Sequence, residues 1–178
     1  MVQFRFDQVI HHPRQLVFET YRDKLSLLVP YLPNCDRIDV VSREDLDDGR
    51  VKLKNLWHAN VKVPRAARRF VKDELMSWYD HAVWDPIQHA VDWRFELRVF
   101  TEAAACSGRN RFEVVDDTHT RYVLSGQLIL DLAKMPFVPR MFRGLAPRVE
   151  QWLIDAVQPN LESIGAAVGK YLDEHPGS

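Results

Sequence analysis

The stretch SWYDHAVWDPIQHAVDW, residues 77–93, decides between two folds. As a helix it would place His81, Asp85 and His89 on one face, with the spacing of a zinc ligand set. A helix through Pro86 would lose a hydrogen bond and clash with the preceding turn, at a cost of about 3 kcal/mol. Alternating Trp, Tyr and Val on both sides of Asp85 and Pro86 instead indicates two strands joined by a turn. We therefore expect a hairpin here, and no metal site.

Length and composition are those of one globular domain of ordinary size. The chain has 178 residues, of which 46% are hydrophobic and 28% charged, and its formal net charge is -1. A chain of this length buries roughly 70% of its unfolded surface, so a substantial core is expected. Nothing in the composition indicates disorder or a general nucleic-acid binder. We expect a single domain over residues 1–178, with no nucleic-acid partner.

The N-terminal segment and the lack of a long apolar run indicate a cytoplasmic protein, and the cysteines and motifs bear on metals and cofactors. Arg5 and Asp7 lie where a signal peptide needs an apolar run, and no apolar segment of about 18 residues occurs anywhere. Cys35 and Cys106 are far apart and lack a CxxC pattern, which is typical of two buried thiols. No GxSxG, HExxH or Walker motif is present. We therefore expect a soluble protein with no cofactor and no metal.

The first half of the chain changes its hydrophobic period in an informative order. Residues 2–10 alternate between apolar and polar, as a half-buried strand does. Pro13 suits the first turn of a helix, and helical spacing then continues to about Val29, which predicts one or two short helices. Two further alternating runs flank Asp48 and Gly49, a pair that is the strongest short-range signal for a hairpin.

The second half predicts more strands and then one long helix. Alternation continues in VDWRFELRVF, ACSGRNRFEVV and RYVLSGQLILDL. From about Leu145 to Tyr171 the apolar residues follow a 3.6-residue period instead, and Pro159 predicts a kink or a break within that helix. The order is strand, one or two short helices, about six antiparallel strands and a C-terminal helix. Such a sheet curls, and a helix with an apolar stripe can lie in the curve.

This order resembles the START-like, or Bet v 1-like (SRPBCC), superfamily, whose α+β helix-grip fold wraps a curved antiparallel sheet of about seven strands round a long C-terminal helix (β-α-α-β6-α). The resemblance covers nearly the whole chain, and three phrases also carry it: FRFDQVIHHPRQLVFE, VWDPIQHAVDWRF and THTRYVLSGQLILDL. Because Gly49 is the only glycine between residues 46 and 52, the chain is more similar to bacterial members than to plant allergens. The resemblance implies an internal apolar pocket; members include lipid carriers, hormone receptors, ubiquinone-binding proteins and polyketide cyclases.

A hydrophobic small molecule, such as a lipid, quinone, polyketide or other aromatic, is therefore the expected ligand. Asn55 is the best polar residue to orient it, because it falls on the apolar face of its strand. Asp80 and Asn110 are weaker choices by the same alternation, and the inward face of residues 75–84 stays open. The predicted pocket wall consists of Trp57, Trp78, Trp93, Phe95, Tyr122 and Leu124 from the sheet and Leu145, Val149, Trp152 and Leu153 from the helix. The alternative is that these side chains are solid core.

Catalysis is a second hypothesis. A cyclase or dehydrase of polyketide type needs a general acid or base inside the pocket, which would be His58, His81 or Asp80. No spacing selects one of them, so whether the protein is an enzyme stays open.

A third hypothesis is a lipid-transfer module that contacts membranes transiently. Residues 134–144, KMPFVPRMFRG, mix apolar and basic side chains as a surface that docks on an anionic membrane does. The alternative is that they pack over the cavity as a lid. Gly165 and Gly169 form a GxxxG, which we interpret as close packing of the helix on the sheet; the oligomeric state stays open.

Overall fold

The computed structural model describes residues 1–60, 76–98, 104–130 and 146–177, with the backbone alone at residue 130 and residues 146–158. Most of the described elements are strands, and the helices lie near the two ends of the chain. They are β1 (Val2–Ile10), α1 (Arg14–Asp23), a 3₁₀ helix (Leu25–Tyr31), β2 (Cys35–Asp45), β3 (Val51–Ala59), β4 (Ser77–Asp85), β5 (Ala90–Leu97), β6 (Ala104–Asp116), β7 (His119–Leu130) and α2 (Ala146–Glu174).

The seven strands form one antiparallel sheet in the order β1-β7-β6-β5-β4-β3-β2. Strands β2 to β7 are therefore a meander, and β1 adds to its last strand. The predicted α+β fold, with about seven strands and a long C-terminal helix, is confirmed. The second short helix is a 3₁₀ helix rather than an α-helix, and it contains Pro30, which has no backbone N–H to donate.

The hairpin predicted for residues 77–93 is confirmed. Strands β4 and β5 pair from Asp85 opposite Ala90 to Trp78 opposite Leu97. Asp85 Oδ1 accepts hydrogen bonds from two backbone N–H groups of the turn, each over 2.9 Å, and so stabilises it. Within the described parts of the chain, no group of three or more His, Cys, Asp or Glu side chains could hold a metal ion.

The earlier hairpin, between β2 and β3, is also confirmed. Its turn contains Gly49 at a φ of 83°, a backbone conformation that glycine adopts without steric cost. Leu46 and Arg50 close the turn with a backbone hydrogen bond of 2.8 Å.

We expected a kink or a break at Pro159; helix α2 is continuous through this residue, so it does not break there. Leu161, Ile164 and Val168, which follow the proline, are almost fully buried. Burying each such side chain stabilises by about 1.5–3 kcal/mol, which together outweighs the cost of about 3 kcal/mol for an interior proline. Among the residues whose structure is described, no helix has the length and apolar character that crossing a membrane requires.

The GxxxG of α2 packs against the sheet, as the sequence indicated. A Cβ atom on Gly165 would lie 2.5 Å from Gln8 Oε1 of β1 and 3.1 Å from Tyr122 Cδ1 of β7. One on Gly169 would lie 3.6 Å from Ile10 Cγ2. The two cysteines are free and buried, which confirms the prediction of structural thiols.

Candidate functional site

One row of side chains crosses the inner face of the sheet. Asn55 of β3 is paired with Asp80 of β4, Asp80 with Phe95 of β5, and Phe95 with Cys106 of β6. Side chains two residues along a strand share the same face. The register that the sequence left open for β4 is therefore decided: its even-numbered residues point inward, and all four are buried, namely Trp78, Asp80, Ala82 and Trp84.

A narrow cavity lies over this row, beneath the helices. Its volume is about 10 Å³, which is room for about one water molecule. The lining consists of Tyr21, Leu25, Leu53, Asn55, Trp57, Asp80, Ala82, Trp84, Val91, Trp93, Phe95, Leu161 and Ile164. A ligand larger than water therefore needs side chains of this lining to move.

Aromatic rings form a continuous surface beside Asp80. Trp57 and Trp78 are stacked with their ring centroids 5.9 Å apart and an interplanar angle of 14°. The Trp78 ring lies 5.8 Å from that of Phe95, which in turn lies 4.8 Å from that of Trp93. Trp78 does not itself line the cavity but supports two residues that do.

Among the described residues, Asp80 is the one carboxyl group in this lining. Only 7% of the residue is exposed, and burial raises its pKa to about 6. Asn55 Nδ2 donates a hydrogen bond of 3.4 Å to Asp80 Oδ2, which opposes that rise. The indole N–H of Trp57 also lowers the pKa of Asp80. It forms no hydrogen bond with an acceptor in the described part of the chain.

Several buried polar atoms of the core, including one of each residue of this pair, lack a hydrogen-bond partner within the described part of the chain. These atoms are Asn55 Oδ1, Asp80 Oδ1, the hydroxyl oxygen of Tyr122 and the indole nitrogens of Trp57, Trp78 and Trp84. Buried polar groups in native proteins are nearly always paired, with protein, water or ligand. The polar part of this site is thus able to accept a further partner.

Asn110 positions two side chains of the lining rather than lining the cavity itself. Its Oδ1 accepts a hydrogen bond of 2.8 Å from the Trp93 indole N–H, and its Nδ2 donates one of 3.5 Å to the Tyr21 hydroxyl. Gly108 makes room for this arrangement, because a Cβ there would lie 2.4 Å from Trp93 Cζ2.

Two predicted wall residues of β7 lie elsewhere in the core. Tyr122 and Leu124 are buried, but neither lines this cavity. The Tyr122 ring instead contacts those of Phe112, at 5.4 Å, and Tyr21, at 6.1 Å.

The four predicted wall residues of the C-terminal helix precede the part of α2 whose side chains are described. Leu145 and residues 134–144 lie outside the described residues, and Val149, Trp152 and Leu153 are described only as helical backbone. Among the residues of α2 whose side chains are described, Leu161 and Ile164 line the cavity.

The two histidines considered as acid–base groups are on the outer face of the sheet. His58 Nε2 lies 3.1 Å from Asp39 Oδ2, and His81 Nε2 lies 2.7 Å from Glu96 Oε2. Both rings are about a quarter exposed, at 26% and 24%. Of the three groups, Asp80 is the one in the cavity.

Sequence reasoning missed more than half of the lining. Leu53, Ala82 and Val91 lie two residues from predicted positions, and Trp84 lies two residues beyond Ala82 on the same face, so strand alternation could have found all four. Tyr21 of α1 and Leu25 of the 3₁₀ helix carried no such signal.

Comparison with solved structures identifies proteins that share this fold. No family model matches the sequence, and neither does any curated protein. A structure from Thermus thermophilus superimposes with a TM-score of 0.68 at 20% identity, over 99% of this chain and 100% of that one. The Zhui aromatase/cyclase from Streptomyces sp. R1128 gives a TM-score of 0.66 at 15% identity, over 97% and 94% of the two chains. A START superfamily protein from Mycobacterium smegmatis gives 0.52 at 11% identity, over 97% of each chain. The chain therefore has the START-like, or Bet v 1-like, helix-grip fold.

Proposed function

We propose that this protein binds an apolar or aromatic small molecule between the sheet and α2, with Asn55 and Asp80 holding the polar group of that molecule. The observation that carries the proposal is the Asn55–Asp80 pair itself, buried beneath aromatic rings with one oxygen of each side chain unpartnered among the described residues. Ligand sites typically combine an apolar lining with a few convergent polar groups. The proposal is also supported by the similarity of this fold to that of a solved aromatase/cyclase.

Affinity and orientation would come from different parts of the site. Apolar contacts contribute about 25 cal/mol for each Å² removed from water, whatever the orientation of the ligand. The pair of Asn55 and Asp80 would select the orientation in which a polar atom reaches it. Because the cavity has a volume of about 10 Å³, ring movements must accompany entry of the ligand.

Native mass spectrometry of the purified full chain tests this proposal. We expect a bound apolar molecule at one per chain, recovered by organic extraction, or binding of an uncharged naphthalene probe that quenches tryptophan fluorescence. Asn55→Ala should weaken binding, whereas Lys52→Ala, on the outer face of the same strand, should leave it unchanged. An empty protein that also fails to bind the probe would mean that the aromatic rings are solid core.

A second candidate function is general acid–base catalysis by Asp80 on a carbonyl compound, as in a cyclase or dehydrase of polyketide type. The specific observation is a carboxyl group with a pKa of about 6 in an enclosed site, where it can both accept and return a proton near neutral pH. In a diketone, the base form would remove a proton from the carbon next to one carbonyl, that carbon would bond to the second carbonyl carbon, and the acid form would return the proton to the resulting alkoxide. Removal of a second proton from the same carbon, and its return to the departing hydroxyl, would then release water.

Asp80→Asn separates the two functions. If Asp80 is catalytic, the parent chain should convert a polyketide-like diketone, whereas the variant should still bind the diketone and fail to convert it. If the protein is a carrier, neither the parent chain nor the variant will change the diketone.

A further inference from the structure

Asp80 carries a negative charge that no cation of the described lining balances. With a pKa of about 6, its carboxyl group is mostly ionised at neutral pH. The lining, so far as the structure describes it, contains no lysine, arginine or histidine, and the hydrogen bond that it supplies to Asp80 is the 3.4 Å bond from Asn55. A buried charge without a partner is costly, so a group that neutralises this charge would be bound favourably.

The surrounding aromatic rings also favour a positively charged ligand. Trp57, Trp93 and Phe95 line the cavity with Asp80, and Trp78 packs against two of them. The face of an aromatic ring carries negative potential, which attracts cations and repels anions. Rings around a carboxylate therefore disfavour an acidic ligand.

The unpartnered oxygens of the site favour a ligand group with several hydrogen-bond donors. Asp80 Oδ1 and Asn55 Oδ1 are both acceptors without a donor among the described residues. An ammonium group offers up to three donors and no acceptor, so it can satisfy both oxygens at once. A hydroxyl offers one donor, and a carbonyl offers none.

We propose that the polar group held by Asn55 and Asp80 is an ammonium group on an apolar or aromatic body, so that this site takes a hydrophobic amine. The inference rests on the binding function proposed above and names the class of its ligand. The ammonium would donate to Asp80 Oδ1 and Asn55 Oδ1, while its apolar body lies against the rings of Trp57 and Trp93.

Two ligands that differ only in the polar group test this proposal. Phenethylamine is charged, and phenethyl alcohol is its neutral counterpart of nearly equal size. In titration calorimetry of the full chain at about pH 8, where Asp80 is ionised, we expect the amine to bind about 10 to 100 times more tightly than the alcohol, the usual advantage of a hydrogen bond to a charged group.

Asp80→Asn should abolish this preference, because the variant has no charge at this position to attract the ammonium group. Asp92→Asn is the matched control, because Asp92 is an exposed carboxylate on the outer face of β5, 3.5 Å from Arg109. That variant should retain the full preference for the amine.

A pH series on the parent chain is an independent measurement. Among the described residues, the titratable groups that face Asp80 from other elements are Tyr21 of α1 and Cys106 of β6. Both have raised pKa values, so both stay neutral below pH 8. The preference for the amine should therefore fall as the pH decreases through about 6, where Asp80 takes up a proton.

Equal affinity for the two ligands, or a preference that Asp80→Asn retains, would overturn the amine assignment and leave the binding cavity in place. A protein that binds neither ligand nor the uncharged naphthalene probe would instead overturn the proposed binding function. A preference that is constant from pH 8 to below pH 5 would also exclude Asp80 as the group that recognises the amine.

Discussion

Asn55 and Asp80 face each other directly across β3 and β4, and the side-chain amide of Asn55 lies 3.4 Å from Asp80 Oδ2. The strand register places the two side chains on the same inner face, where the rings of Trp57 and Phe95 lie beside them. A slip of one residue would move Asp80 to the outer face, because side chains alternate along a strand. The charge of the cavity thus depends on the pairing of these two strands.

The raised pKa of Asp80 predicts a pH dependence of stability. Its ordinary pKa of 3.8 applies to the unfolded chain, and in the folded protein the value is about 6. The folded state therefore holds this proton more tightly. The resulting stabilisation, about 3 kcal/mol from the shift in pKa, is fully present below about pH 3.8 and is lost as the pH rises through about 6.

Urea unfolding of the parent chain and of Asp80→Asn at a series of pH values measures this contribution. The stability of the variant relative to the parent should increase between about pH 4 and pH 7, since the variant lacks the titration. Other carboxyl groups titrate in both proteins, so the difference isolates Asp80. A difference that does not change with pH would contradict the assignment.

Removing the partner of Asp80 should raise its pKa further. In Asn55→Ala the carboxylate loses the hydrogen bond that favours its ionised form, so we expect a pKa above 6 and a loss of about 1–3 kcal/mol in unfolding free energy. The ¹³C chemical shift of the Asp80 carboxyl group reports the pKa. Lys52→Ala, which removes an exposed ion pair with Glu44, is the control and should change neither quantity appreciably. An unchanged carboxyl titration in Asn55→Ala would show that the hydrogen bond is unimportant.

Gly108→Ala should displace Trp93. The new Cβ would lie 2.3 Å from the backbone oxygen of Ser125 and 2.4 Å from Trp93 Cζ2, and the backbone oxygen cannot move without disturbing the sheet. We expect destabilisation of about 1–3 kcal/mol or more and a changed near-ultraviolet circular dichroism spectrum. Ser107→Ala, on the opposite face of the same strand, should retain the parent spectrum. A parent-like melting temperature for Gly108→Ala would argue against the close approach of these groups.

Two glycines of α2 should respond in opposite directions to alanine. At Gly169 the nearest atom to a new Cβ is 3.6 Å away, an ordinary contact, so Gly169→Ala should stabilise by up to about 1 kcal/mol through helix propensity. At Gly165 the new Cβ would lie 2.5 Å from Gln8 Oε1 and 3.1 Å from the buried Tyr122 ring. We therefore expect Gly165→Ala to lower the melting temperature, and equal effects at the two positions would contradict the described helix packing.

The order of elements could be predicted because it depends on local patterns. Alternation identified the strands, the Asp48–Gly49 pair identified a turn, and Pro86 excluded a helix where β4 meets β5. Asn55 was recognised for the same reason, since a polar residue on an apolar strand face is a local anomaly. Five of the predicted site residues lie in the cavity wall, namely Asn55, Trp57, Asp80, Trp93 and Phe95.

Local rules could not decide the matters that depend on packing between distant segments. Both faces of β4 carry aromatic residues, Trp78 on one and Tyr79 on the other, so alternation alone could not say that Asp80 points inward. Pro159 is tolerated in α2 because the residues after it are buried against the sheet.

The sequence by itself determined the strands, their turns, the long helix and hence the fold class. Only the tertiary structure decided which face of β4 is enclosed, that Tyr21 and Leu161 complete the lining, and that Asp80 has no cation beside it in the described part of that lining. The physical reason is that periodicity along a segment divides its side chains into two faces, whereas burial and its effect on the pKa of Asp80 depend on what packs against each face.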